Sequence, residues 1–374
     1  MDVVRVIAVL EEGGAQLSAL RLSAGLRAHG INTVRLLAGQ ATAGGIAMAR
    51  RYGVDVETFV DPGAAARPSL QWRLCPEFAD WLVARLARAD LVHAHMVGAW
   101  MAAARAAPAG AALIASEHNA MTWPGGDFTE QAAAASTRID AFFAHGPAAH
   151  AFAVSLGVPE AKLHEGRSAV EGLDATPLPG LGQPRVTFTG RLHPEKGPDL
   201  LIEALALTSV PVAGYLVGAG PSATALAARV HALGLDARVR LVGWVDEPAR
   251  YVVGAAVHVV PSREEAWSQS AVVGLGLGIP VIGTAVEGLP YTLGAGRGIL
   301  VPAEDPVALA KAIDAVLDGS TRPDPRPGRA YARQFSMVTT AASYARVYQS
   351  VRQSVQAAGS HNPGTGRPAK QVWS

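Results

Sequence analysis

A single cysteine, Cys75, is all the thiol in the chain, so no internal disulfide forms, and "RLCPEF" sets no histidine beside it to activate it as a nucleophile. A reducing compartment, the cytoplasm, is the expected setting. Charge of one sign is also scarce. With 32 Lys and Arg against 31 Asp and Glu, the net charge is +1, too little to grip a nucleic acid or an anionic membrane surface as the main partner. No segment reaches the ~18 uncharged apolar residues of a membrane span. The opening "MDVVRVIAVLEEGG" is too short and too interrupted to read as a signal peptide. Asp-x-Asp is absent, which leaves a divalent metal no evident holder. The expected partner is small, and no metal is expected.

What is present is enough for two cores. A length of 374 residues, 49% apolar, points to two domains of roughly 150 residues each. In the first half, "VVRVIAVL", "NTVRLLAG", "DLVHAHM" and "AALIASEH" read as strands, and "AQLSALRLSAGLRAHG" and "FADWLVARLARA" as helices. The pattern halts at "DATPLPGLGQP" and restarts with "RVTFTG", "VAGYLVG", "RVRLVGWV", "AAVHVVPS" and "PVIGT" as strands between helical stretches. Continuously apolar strands alternating with helices predict parallel sheets covered on both faces. The fold class is therefore α/β, with two doubly wound Rossmann-like domains facing each other across a cleft. The expected division is 1–173 for the first domain, 174–184 for a linker and 185–335 for the second domain. "TRPDPRPG" reads as a second Pro-rich break. A final helix over 336–358, with Met337, Tyr344, Val347, Tyr348 and Val351 at helical spacing, is expected to return to the first domain, ahead of an unstructured tail at 359–374.

Ligands of such sheets bind beyond the carboxyl ends of the strands, and three loops of the second half fall there. In "TGRLHPEKGPDLLIEAL", Arg191 offers a fork matched to phosphate oxygens and Lys196 a mobile point charge; read alone, they serve equally as solvated cations. "LVGAGPSATALA" puts Gly218, Gly220 and Pro221 in a partial dinucleotide fingerprint, with Asp236 near the spacing of a ribose-binding acid. Its position in mid-chain weighs against NAD. The third stretch, "PSREEAWSQSAVVGLGLGIPVIGT", sets Glu265 and Trp267 before Ser268, Gln269 and Ser270, where a helix starts. A helix start favours an anion, and a carboxylate beside it accepts hydrogen bonds from hydroxyls. Together they suit a sugar attached to a diphosphate. Val272, Val273 and Leu275 read as core, and Gly274, Gly276 and Gly278 as positions of close approach. Trp244, within "RVRLVGWV", is a further candidate for the nucleotide.

In the first half, Gly13 and Gly14 occupy the first strand-to-helix turn, where backbone can approach a phosphate. His93, His95 and His118 fall near strand ends. His118, in "SEHN", is the one assigned to a sugar or acceptor hydroxyl, and a zinc site built from the three lacks a thiolate or carboxylate at ligand spacing.

Taken in order, "GRLHPEKGPDLLIEAL", "VGAGP", "VPSREEAWSQSAVVGLGLGIPVIGT", "EGLP" and "GILVPAEDP" resemble the family 4 retaining glycosyltransferases of GT-B fold, closely over 185–318 and more loosely in "GG", "DLVHAH" and "SEHN". The resemblance implies metal-independent transfer of a sugar from a nucleoside diphosphate donor, a UDP-sugar favoured, with the donor acting as co-substrate and no resident cofactor. It implies Arg191, Lys196, Glu265 and His118 as catalytic residues, and Gly14, Gly218, Gly220, Pro221, Trp244, Trp267, Ser268, Gln269 and Ser270 as residues around the nucleotide. The pattern departs at one place: the family's second glutamate, which takes the ribose hydroxyls, falls on Val273. "EGLPY" also replaces the usual "GG-x-PE" wording. This departure, with "EEAWSQSAVVGLGLG", resembles a branch that glycosylates aminocyclitols or pseudodisaccharides in aminoglycoside antibiotic synthesis. An epimerase or a non-catalytic nucleotide-sugar binder of the same fold, and a dehydrogenase resting on "GAGPSA", are the rival readings.

Overall fold

The computed structural model describes residues 1–61, 75–118 and 127–360. Among them, the first half forms a sheet of β1 (Asp2–Leu10), β2 (Asn32–Ala41), β3 (Val56–Thr58), β4 (Leu91–His95), β5 (Ala112–Glu117), β6 (Ala141–Ala144) and β7 (Leu163–Glu165). Their spatial order is β3-β2-β1-β4-β5-β6-β7. The second half forms β8 (Arg185–Thr189), β9 (Ala213–Val217), β10 (Val239–Gly243), β11 (Val257–Val260), β12 (Val281–Thr284) and β13 (Ile299–Val301), in the order β10-β9-β8-β11-β12-β13. Every strand pair is parallel. The expected class of two doubly wound α/β domains is met. Each sheet begins in its middle, winds to one edge, then returns and winds to the other. The reversals lie between β1 and β4 and between β8 and β11, where open sheets hold ligands.

The strand signal was strongest where helices cover both faces. All residues of β4, β5, β6, β11 and β12 are buried, as continuous apolar runs require. The three-residue strands β3, β7 and β13 lie at sheet edges and are too short for periodicity to announce them.

One expectation needs correction. The Pro-rich "TRPDPRPG" breaks the chain only over 321–324; from Pro325 its second half already belongs to a helix, Pro325–Arg333. Asp324 caps it by accepting from the Arg326 amide at 2.9 Å, and Pro325 and Pro327 occupy its first turn, whose amides have no intrahelical acceptor. This helix packs on the helix Gln269–Leu277, where a Cβ added at Gly328 would lie 2.9 Å from Leu275. The glycines of Gln269–Leu277 meet close neighbours too. A Cβ at Gly274 would lie 2.8 Å from Val281, and one at Gly276 would lie 2.5 Å from Leu173.

The last helix, Met337–Ser360, leaves the second domain and packs on Gly14–Leu26 and the underside of the first sheet. Tyr344 and Tyr348 are buried with Val3, Leu26, Ile114 and Phe143. Val347 and Val351 pack at the edge of the same cluster, and a Cβ at Gly25 would collide with Ala341 at 2.9 Å. The connections 166–184 and 334–336 both run between the domains, and they are tied together where the Val170 amide donates to the Phe335 carbonyl at 2.9 Å.

Candidate functional site

The end of β8 runs through Arg191 into a 3-10 turn, Pro194–Lys196. Gly197 then takes a left-handed backbone (φ +61), and a Cβ there would lie 2.0 Å from the Pro261 carbonyl, so only glycine lets this turn approach the loop after β11. The approach puts Lys196 Nζ 3.1 Å from Glu265 Oε2 and 3.3 Å from the Glu264 carbonyl. Glu265 Oε2 also accepts from Ser262 Oγ at 3.2 Å. Its backbone is pinned on both sides: the Glu265 amide donates to Glu287 Oε2 at 2.7 Å, and the Gly288 amide donates to the Glu265 carbonyl at 2.9 Å. Burial raises the Glu265 carboxyl above the usual carboxylate range, with Lys196 opposing the shift. Arg191 is drawn elsewhere: it pairs with Glu195, with its side chain 48% exposed.

The glycines of "VGAGP" lie against the same turn. Added Cβ atoms would sit 1.9 Å from the Gly190 carbonyl at Gly218 and 2.4 Å from the Leu192 carbonyl at Gly220. Both glycines are therefore required by protein backbone, while Pro221 is exposed just before the helix Ala223–Ala232. Asp236 faces His231 at 3.3 Å in an exposed turn. Trp244 follows β10 with 54% exposure, and two residues later Asp246 forms an ion pair of 3.0 Å with Arg51 of the first domain.

At the third loop, Ser268 is the N-cap of Gln269–Leu277 and accepts from the Ala271 amide at 3.2 Å. Ser270 Oγ is engaged inside the domain, 2.7 Å from Thr189 Oγ1 and 2.7 Å from His258 Nε2. Burial holds His258 down to about 4, so its ring is neutral. Trp267 packs on Phe335 with ring centroids 4.8 Å apart, and Val273 joins that apolar cluster. Gln269, by contrast, crosses the cleft: its Nε2 donates to the Gly14 carbonyl at 2.6 Å and its Oε1 accepts from Arg21 Nη1 at 3.0 Å.

The histidines separate into two roles. His93 and His95 are core residues, both within hydrogen-bond reach of the buried Arg5 Nη1, at 2.9 and 3.0 Å. His93 also bonds the Tyr348 hydroxyl. Burial comes first, and the Arg5 charge with neighbouring histidines adds to it, in pushing both rings well below the ordinary histidine range. His118 stacks on His145 at 3.7 Å. A Cβ at Gly146 would lie 3.4 Å from the Ala266 carbonyl, so this pair adjoins the loop that leads into Gln269–Leu277. His118 Nε2 is buried without a partner among the described residues, and burial lowers the ring to about 3. His118 is thus neutral, able to give or accept one hydrogen bond. The remainder of "SEHNAMTW", residues 119–123, lies outside the described residues. Among the described residues, no group of three or more His, Cys, Asp or Glu side chains is placed to hold a metal, and burial raises the Cys75 thiol, which keeps it protonated.

Sequence reading missed Asp199, Arg263 and His145, and gave Glu287, seen only as part of "EGLP", no role of its own. Arg263 directly precedes the two acids of "SREEA", and its carboxylate partners, Asp199 and Glu304, come from distant segments.

Two family models match the chain: Glycosyltransferase Family 4 over residues 12–165 and Glycosyl transferases group 1 over residues 183–319. A D-inositol 3-phosphate glycosyltransferase of Jonesia denitrificans is 34% identical over 182 residues, covering 45% of this chain and 43% of that one. That of Mycolicibacterium smegmatis is 33% identical over 180 residues, covering 45% and 41%. The chain therefore spans under half the length of these curated relatives. Among solved structures, Anabaena HepE in complex with UDP superposes with a TM-score of 0.76 at 19% identity, covering 94% of this chain and all of that one. Sucrose-phosphate synthase from Thermosynechococcus elongatus gives 0.73 at 20% identity, covering 95% and 100%. With its two matched halves and its two facing parallel sheets, the chain belongs to the family 4-like glycosyltransferases of GT-B fold.

Proposed function

We propose that this glycosyltransferase is a retaining enzyme that takes a sugar from a nucleoside diphosphate donor, a UDP-sugar in the favoured case, and transfers it to a hydroxyl of a small polyol. The aminocyclitol or pseudodisaccharide of an aminoglycoside is the specific acceptor proposed. The observation that carries the donor reading is the Lys196–Glu265 pair beside the capped start of Gln269–Leu277. An ammonium, a helix N-terminus and a largely buried carboxylate are there within one site, matching a diphosphate on one side and sugar hydroxyls on the other. The UDP bound by Anabaena HepE supports the choice of nucleotide.

In the proposed reaction, the acceptor hydroxyl attacks the anomeric carbon on the face the diphosphate leaves. The C–O bond to the phosphate breaks, the new glycosidic C–O bond forms, and the hydroxyl proton passes to a phosphate oxygen. Lys196, and Arg191 once released from Glu195, stabilise the charge gathering on the leaving group, so no metal is called for. Glu265 holds the donor sugar, and neutral His118 offers a hydrogen bond across the cleft. Trp244 supplies an exposed ring for the base. No described helix is long and apolar enough to cross a membrane, and the proposed place of reaction is the cytoplasm. The test is a mass-spectrometric screen of UDP-, GDP-, ADP- and dTDP-sugars against aminocyclitol, sugar and lipid acceptors. Transfer to an aminocyclitol with the anomeric configuration kept is expected; an inverted product overturns the retaining mechanism.

A further inference from the structure

Arg263 sits two residues before Glu265, and its guanidinium is fully engaged. Nη1 donates to Asp199 Oδ1 at 2.8 Å and to the Pro194 carbonyl at 2.7 Å. Nη2 donates to Asp199 Oδ2 at 2.8 Å and to Glu304 Oε2 at 3.1 Å. Nε meets Glu304 Oε1 at 2.5 Å. Its backbone joins in, since the Arg263 and Glu264 amides both donate to the Glu195 carbonyl, at 2.7 and 3.2 Å. Three loops at the carboxyl edge of the second sheet, after β8, β11 and β13, thus meet on one side chain. Glu304 reaches it from a left-handed backbone (φ 55), a conformation costly for a non-glycine residue and kept only where the surroundings enforce it.

An isolated surface ion pair contributes little, but this one is bidentate, is shared by two carboxylates and has its arginine side chain only 28% exposed. A fork of this kind sets direction as well as distance. What it directs is the Pro194–Lys196 turn, gripped at the Pro194 and Glu195 carbonyls. The next side chain along that turn is Lys196.

We infer that Arg263 is a positioning residue, which clamps the Pro194–Lys196 turn to the loop after β11 and so fixes the Lys196 ammonium where the leaving diphosphate gathers charge. The inference rests on the donor reading above. Lysine at position 263 would keep the charge and lose the fork, and Asp199→Asn would loosen the clamp from its other side.

The test is a double-mutant cycle read by UDP binding in calorimetry. Arg263→Lys is expected to weaken UDP about 10-fold with its melting temperature nearly unchanged, and Lys196→Met to weaken it at least as much. In the Lys196→Met background, Arg263→Lys is expected to change affinity less than about 2-fold, because the group it positions is gone. A merely structural arginine would give losses that add. Additive losses, or an Arg263→Lys protein that binds UDP like wild type, overturn the clamp while leaving the donor site intact. If Arg263→Lys fails to fold, Asp199→Asn takes its place in the cycle. Wild-type protein indifferent to UDP, GDP, ADP and dTDP alike overturns the donor reading, and the clamp with it.

Discussion

Lys196 Nζ and Glu265 Oε2 stand 3.1 Å apart across 69 residues of sequence, so a cation and a largely buried carboxylate share one edge of the second sheet. On the proposed donor reading, a diphosphate competes with Glu265 for that ammonium. Lys196→Ala is expected to lower turnover ~100-fold or more, on the scale of a lost transition-state donor, and Arg191→Ala likewise. Steady-state rates at saturating donor decide it; near-normal turnover in both variants would remove these residues from the chemistry.

Val273 packs in the apolar cluster that holds Val170, Trp267 and Phe335. Introducing the family's second carboxylate there, Val273→Glu, places an unpaired acid against apolar neighbours at a cost of several kcal/mol, roughly, or forces it to stay protonated. The expected outcome is a lower melting temperature without tighter UDP binding. A variant that keeps its melting temperature and binds UDP markedly more tightly would show that the pocket still presents ribose at this position.

Tyr344 lies 1% exposed in the first domain's core, whereas Val338 on the same helix is 76% exposed. Tyr344→Ala is expected to cost about 3–5 kcal/mol, the range for emptying a buried aromatic site, and Val338→Asp about nothing. Denaturant unfolding of the two variants compares them directly. Equal stability would mean that this helix is not part of the first domain's folding unit.

Burial holds His118 down to about 3 and His258 to about 4, against 6.5 for an exposed histidine. Between those values the unfolded chain binds protons that the folded chain refuses. Stability is therefore full above pH 6.5 and is lost as the pH falls toward 4. Melting temperatures should already decline from pH ~6.5 to ~5, before most carboxylates titrate. A flat profile over that interval would show the rings to be solvated.

The α/β class and most of the strands were legible because their signals are local. Short Val/Ile/Leu-rich runs marked β1, β5 and β11, and the Gly-Pro start of Pro198–Leu207 marked a turn into a helix. The rest depended on contacts that sequence spacing does not encode. Ser270 looked like a ligand group at a helix start, yet Thr189 and His258 consume its hydroxyl from 81 and 12 residues away. His145 gains its place through Tyr344, 199 residues later. Arg5 sits in an apolar strand whose pattern gave no hint that a charge there would be buried against His93 and His95.

The return of Met337–Ser360 to the first domain also imposes an order on synthesis. Val3 and Leu26 belong to the same packed cluster as Tyr344 and Tyr348, so the half of the protein that leaves the ribosome first cannot cover this face of its sheet until the second domain has been made. Until then it waits with apolar surface uncovered, and the second domain, whose own core needs nothing from the beginning of the chain, is free to finish first. The later-made domain is then the one whose completion delivers the missing piece.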